Sequence, residues 1–397
     1  MSKVILIFLD AFSSKYLEKT SFLLNISKNS YSSRLASIFG FQAIGMSLIT
    51  GTKVNTHKIW SDYSLKGFQK FDTSKFLKFF LKMADFIPDN FLRRDVRYVI
   101  SRLLTKHWSS PNAIPIELLD FFEPSFDTKN DLTMGQLVTL FGQLRKYQKK
   151  YYVAEIFQPF ERFQIRNLRK HIRENDFILV RFNSLDRIGH KFGPESNNVG
   201  RKIVDMDNMV RTLVNDIRQQ QDCHLIILSD HGMSPLFRWI NLFDELKDLE
   251  KFKMPDDYLL FLHSTVACFW FRNSKVRETI VSSLSKAKFG YILDKKKLES
   301  LGIDNIGYKY GELMFALREG TAFFPDYYWR VTPPLGMHGY VHSSYGSPIL
   351  LIDSTDSEVC FAKRSSVGYE DIMPTILDLL NLPSPATCEG KSLVQKK

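Results

Sequence analysis

Three stretches of the chain are apolar at almost every position, as strands buried on both faces of a sheet require. They are residues 3–9 (KVILIFL), 176–182 (DFILVRF) and 224–228 (HLIIL). Each run ends on chemistry: Asp10 follows the first, Asn183, Ser184, Leu185 and Asp186 follow the second, and Ser229, Asp230 and His231 follow the third. Between the last two runs, residues 200–219 repeat apolar positions at helical spacing through Ile203, Met206, Met209, Val210, Leu213 and Ile217. Alternating buried strands and amphipathic helices predict an α/β fold with a doubly wound central sheet. In such sheets ligands gather at the carboxyl edge, because strands fix positions there and loops are free to carry function.

One α/β domain over residues 1–397 is expected to carry two cap insertions. Residues 64–126 are basic and aromatic, with Lys75, Lys78 and Lys82 interleaved with Phe76, Phe79, Phe80 and Phe86, followed by Arg93, Arg94, Arg97 and Arg102. Spacings of three and four predict amphipathic helices there. The insertion is expected to form part of a cap over the site, and the expected packing puts the Phe stripe on the core and the lysines outward, in preference to cations that contact an anionic substrate, a polyanion or a membrane surface. Residues 258–327 read as a small α+β cap, with strands at 266–271 and 312–317 around a helix at 274–286. A last helix is expected at 369–382, with Pro374 near its first turn, where proline is tolerated.

Composition narrows the picture only modestly. With 397 residues, 44% of them hydrophobic and 24% charged, the chain is globular rather than disordered or collagenous. The 33 Phe supply large core side chains. A formal charge of +11 is read as lysines spread over solvated faces, so no specific nucleic-acid partner is expected. Cys223, Cys268, Cys360 and Cys388 are too dispersed for a zinc knuckle or a disulfide framework. Residues 4–9 are too short for a signal-peptide core and no stretch suits a membrane span, so a cytoplasmic location is expected.

Six side chains form the candidate chemistry. Asp186 and His190 are four apart, which puts both on one side of a helical turn and lets them share a metal. Asp230 and His231 are adjacent at a strand end, so their side chains diverge and suit two neighbouring ions. His338 sits between Gly336 and Gly339 in a loop, and Asp10 completes three carboxylates and three imidazoles. Such nitrogen and oxygen donors suit two divalent ions, zinc foremost and manganese or iron as alternatives. Paired ions can clamp the attacking and leaving oxygens of a phosphoryl transfer. His342, four residues after His338, is a reserve ligand, and the remaining histidines are read as structural.

The segments ILIFLDAF, SLDRIGHKFGP, LSDHGM, GMHGY and the closing DIMPTILDLLNLPSPATCEGKSL together resemble the alkaline phosphatase superfamily, and within it the nucleotide pyrophosphatase/phosphodiesterase branch. The resemblance implies a phosphodiester or phosphoanhydride hydrolase acting on a phosphorylated small molecule. It implies one ion on Asp186, His190 and His338 and another on Asp10, Asp230 and His231. It also implies a Ser or Thr nucleophile about ten residues before a Thr-Gly pair, here Thr50 and Gly51, with His57 beyond. That count reaches Gly40, Phe41, Gln42, Ala43 and Ile44, and aligning the Gly-aromatic pair puts Gln42 in the nucleophile's place. An amide cannot carry a phosphate ester. Three readings follow: a shifted register that makes Ser37 or Ser47 the nucleophile, direct attack by a metal-activated hydroxide with Gln42 positioning the substrate, or a weakened homologue that binds metal and a phosphorylated ligand. A sulfatase is disfavoured, since this region holds no Cys or Ser suited to become formylglycine.

Overall fold

The computed structural model describes residues 3–67, 75–104, 114–125 and 133–395. Its central sheet has six strands: β1 (Val4–Leu9), β2 (Tyr31–Arg34), β3 (Tyr151–Ile156), β4 (Phe177–Phe182), β5 (His224–Leu228) and a late strand, Ile349–Ser354. A second sheet has four: β6 (Tyr258–Leu262), β7 (Val266–Phe271), β8 (Gly290–Ile292) and β9 (Leu313–Leu317). With Ile349–Ser354 as β10, the central order is β2-β10-β5-β1-β4-β3. β1 runs parallel to both β4 and β5, and β3 parallel to β4, while β10 is antiparallel to β5 and β2.

Alternation along β1 explains the layers. Ile5, Ile7 and Leu9 join one buried cluster with Ile203, Met206, Val210 and Leu213 of the helix Asn197–Arg218. Val4, Leu6 and Phe8 join another on the opposite face, with Ile372, Ile376 and Leu377 of the helix Ile372–Leu379. Both faces are therefore covered, which is why this strand reads as continuously apolar. Each aliphatic side chain removed from water there contributes about 1.5–3 kcal/mol. The C-terminal helix is shorter than its apolar pattern suggests, because a 3₁₀ turn (Tyr369–Asp371) precedes it.

Within the first insertion, Tyr63–Leu65 and Phe122–Pro124 pair antiparallel at its base, and two helices, Lys75–Ala84 and Asn90–Leu104, pack on each other above. The expected orientation of the Phe stripe is overturned. Leu77, Leu81 and Ala84 face inward, whereas Phe76, Phe79, Met83 and Phe86 face solvent. A helix of this composition carries two apolar stripes, and the leucines occupy the buried one. Nor are all the cations outward: Lys78 pairs with Asp120 at 2.8 Å, and buried Arg97 reaches Asp85 and the Ile114 carbonyl. His107 and the end of this insertion at Phe126 lie outside the described residues. Residues 258–327 contain β6–β9, whose order is β6-β7-β9-β8, with the helix Ser274–Ser285 against them. The four cysteines are free thiols.

Candidate functional site

Three adjacent parallel strands deliver the acidic residues to one edge. In the order β5-β1-β4, Asp230 follows β5, Asp10 follows β1, and Asp186 lies in the first turn of the helix Ser184–Phe192 that follows β4. Register adds a fourth group: Phe8 pairs with Arg181 on one side and Leu228 on the other, so alternation puts Asp10, Arg181 and Asp230 on a common face. His190 stands one turn after Asp186, and His338 comes from the loop after residues 336–337. That loop lies close. A Cβ on Gly336 would stand 2.6 Å from the Gly189 carbonyl, so glycine is what lets the loop approach the helix bearing Asp186 and His190.

The six predicted side chains converge. Asp186 Oδ1 lies 3.3 Å from His190 Nε2 and 3.5 Å from His338 Nε2, and His231 Nε2 lies 3.7 Å from Asp10 and 3.5 Å from Asp230. Two ligand-compatible groups result, Asp186 with His231 and His338, and Asp10 with Asp230 and His231. His231 therefore stands between the two groups, its ring stacked on His338 at 3.7 Å, while His190 approaches from the Asp186 side.

The donor chemistry fits divalent cations. Nδ1 of His190 meets the Gly336 carbonyl at 2.8 Å and Nδ1 of His231 meets the Gly232 carbonyl at 2.9 Å. Those carbonyl acceptors put a proton on Nδ1 and turn each Nε2 toward the carboxylates, the orientation a metal-binding histidine uses. Asp230 Oδ1 accepts the Ala11 and His231 backbone N–H groups, which turns Oδ2 toward His231. Asp186 Oδ1 is a buried oxygen that makes no hydrogen bond among the described residues. Burial and the neighbouring Asp230 push Asp10 up to about 7, against the opposing pull of Arg181. Burial and the adjacent His231 hold His338 well below the ordinary imidazole range. Despite burial, the imidazoles of His190, His338 and His231 hold Asp186 below the usual carboxylate range.

These residues line a cavity of about 350 Å³. Gln42 lines it too, at the N-cap of the helix Ala43–Thr50. The shifted-register alternatives do not fit: Ser47 is buried with its hydroxyl 3.0 Å from His57 Nε2, and Ser37 is exposed and absent from the cavity wall. His342 is exposed beside Lys297 at 3.0 Å, away from that wall.

Four lining residues escaped the sequence reading as site residues. Arg181 donates to Asp10 Oδ2 at 2.6 Å and stacks over Phe8, and a lone arginine inside DFILVRF was its signal. Asp62 accepts the Tyr328 hydroxyl at 3.2 Å and neighbours Gln42. Arg94, from the basic insertion, lies over the Tyr328 ring and reaches the same cavity. Nothing in the local pattern marked Asp62 or Tyr328.

The type I phosphodiesterase / nucleotide pyrophosphatase family model matches residues 4–340, and the chain belongs to that family. Murine ectonucleotide pyrophosphatase / phosphodiesterase 5 has the same fold, with a TM-score of 0.68 at 17% identity, over 99% of this chain and 100% of that one. An inactive variant of the murine protein in complex with AMP matches at 0.68 and 18%, and the human protein at 0.68 and 16%, each with both chains fully covered. Among curated proteins, GPI ethanolamine phosphate transferase 2 of Candida glabrata is 35% identical over 74 residues, 18% of this chain and 9% of the transferase. Human GPI ethanolamine phosphate transferase 3, catalytic subunit, is 34% identical over 61 residues, 15% of this chain and 5% of that protein. The chain thus matches less than a tenth of the length of these relatives. Family and fold are those of phosphodiester hydrolase-like proteins.

Proposed function

We propose that the protein is a metal-dependent hydrolase of a phosphodiester or phosphoanhydride in a small phosphorylated molecule. The observation that carries this reading is the convergence of Asp10, Asp186, His190, Asp230, His231 and His338 on one cavity from separate strand ends and loops. Asp186, His190 and His338 would hold one divalent ion and Asp10, Asp230 and His231 a second, with zinc the best match to the donors. When bound, such a pair supplies Lewis-acid stabilisation of phosphoryl oxygens and an activated water.

The protein's own groups would then do the positioning. Gln42, at the cavity wall beside Asp62, offers an amide N–H to a phosphoryl oxygen. Arg181, anchored on Asp10, offers its remaining guanidinium donors to the same anion. Without a hydroxyl at position 42, no phosphate ester forms on that side chain, so this reading requires attack by water. The murine relative's complex with AMP supports a phosphorylated ligand of this kind.

A second reading has its own observation, the same Gln42: a homologue that binds metal and a phosphorylated ligand without turning it over. Hydrolysis of a chromogenic phosphodiester by zinc- or manganese-loaded protein separates the two. The expected result is metal-dependent turnover that falls at least about 100-fold in Asp230→Ala and in His338→Ala. Full activity in both variants would overturn the ligand assignment. Metal binding with no turnover, joined by a gain of hydrolysis in Gln42→Thr, would favour the second reading.

A further inference from the structure

We propose that the first insertion is a membrane-docking surface that seats on an anionic lipid bilayer. Its first helix, Lys75–Ala84, turns Phe76, Phe79 and Met83 to solvent at more than half their full exposure, and Phe86 just beyond it is 77% exposed. The second helix, Asn90–Leu104, does the same with Leu92, Val99 and Leu103, the last at 78%. These side chains are surplus to the fold, because Leu77, Leu81 and Ala84 already supply the buried contacts of the first helix. Phe80 packs against Phe76 and Phe79 with ring centroids 4.7 and 5.5 Å apart, so the aromatics form a cluster rather than scattered points. Contiguous exposed apolar surface of this kind marks an interaction site.

Charge selects the occupant. Lys75 and Lys82 are exposed on the same helix. That helix itself carries no acidic residue, and Asp85 just beyond it is engaged by Arg97 and Arg330, whereas exposed Asp89 directly precedes the second helix and exposed Asp95 lies within it, the latter 3.5 Å from Arg187. The first helix therefore presents exposed apolar side chains flanked by lysines. Lysine is depleted in protein interfaces, whereas a bilayer needs only apolar depth and anionic headgroups for the lysines. No helix of the described residues is long and apolar enough to cross a membrane, so the association is peripheral.

The test is co-flotation of the full chain with phosphatidylcholine vesicles with and without 30% phosphatidylglycerol, beside two variants. Wild type is expected to float with the anionic vesicles. Partitioning should fall at least about tenfold in Phe76→Ser/Phe79→Ser/Phe86→Ser and several-fold in Lys75→Glu/Lys82→Glu, with unchanged far-UV circular dichroism in both. Failure of wild type to float, or equal flotation of the Phe variant, would overturn the proposal. So would a concentration-dependent dimer that the Phe variant dissolves while wild type ignores vesicles, which would assign the face to a second copy of the chain.

Discussion

His57 sits beneath the helix that Gln42 caps, where its Nδ1 accepts the Ile59 N–H at 3.1 Å and its Nε2 faces the Ser47 hydroxyl at 3.0 Å. Accepting at Nδ1 requires the neutral ring, and burial lowers its pKa to about 4. In the unfolded chain the same imidazole titrates near 6.5. Between those values the unfolded state binds the proton and the folded state does not, so the stabilisation is complete above about pH 6.5 and is lost as pH falls toward 4. Urea unfolding at pH 7 and 4.5 checks this. Wild type should lose about 2 kcal/mol more than His57→Asn over that interval, and a difference independent of pH would show that the ring is not held neutral. The Ser47 hydroxyl is unsuited to nucleophilic duty because it is fully buried, faces His57 beneath the helix and is absent from the cavity wall. A serine's position in sequence cannot reveal that; its hydrogen-bond partner does.

At the scale of elements, Asp207 in the helix Asn197–Arg218 organises a second helix end. Its carboxylate accepts N–H groups of Ser21, Phe22 and Leu23 and the Ser21 hydroxyl, at 2.9 to 3.1 Å, at the start of Phe22–Asn29. Negative charge at a helix N-terminus is favourable, and a buried acceptor shared by several donors is costly to delete. Asp207→Ala is expected to destabilise the protein by about 2–4 kcal/mol in urea, and Asp207→Asn by about half as much, since one oxygen is retained. If both cost the same, the charge rather than the acceptor geometry carries the effect. The same scale shows why some elements were legible and others were not. β1, β4 and β5 are buried between layers and read as apolar runs. β3 and β2 lie at the sheet's two edges with half-exposed faces, and YYVAEI and YSSR give no such run. For Lys75–Ala84 the helical period was readable but not the choice between leucine and phenylalanine stripes, which depends on the surface beneath.

For the whole molecule, the proposed ligands span the chain from Asp10 to His338, so an ion bound there would tie together three strand ends, a helix and a distant loop. The residue types and their strand-end placement were visible in sequence because β1, β4 and β5 lie side by side. The sharing of His231 was not, because ring stacking on His338 depends on how the loop folds back. That the site assembles only in the folded chain has a thermodynamic consequence. A ligand that binds the native state alone adds RT ln(1 + [L]/Kd), about 2.7 kcal/mol at one hundred times Kd. In a chain of this size that amounts to a Tm rise of a few degrees. Zinc or manganese should therefore raise the Tm and a chelator should reverse the rise, read by differential scanning fluorimetry. In Asp230→Ala the rise should shrink by at least half. An equal rise in wild type and variant would place the stabilising ion elsewhere on the protein and remove the link between this site and the stability of the fold.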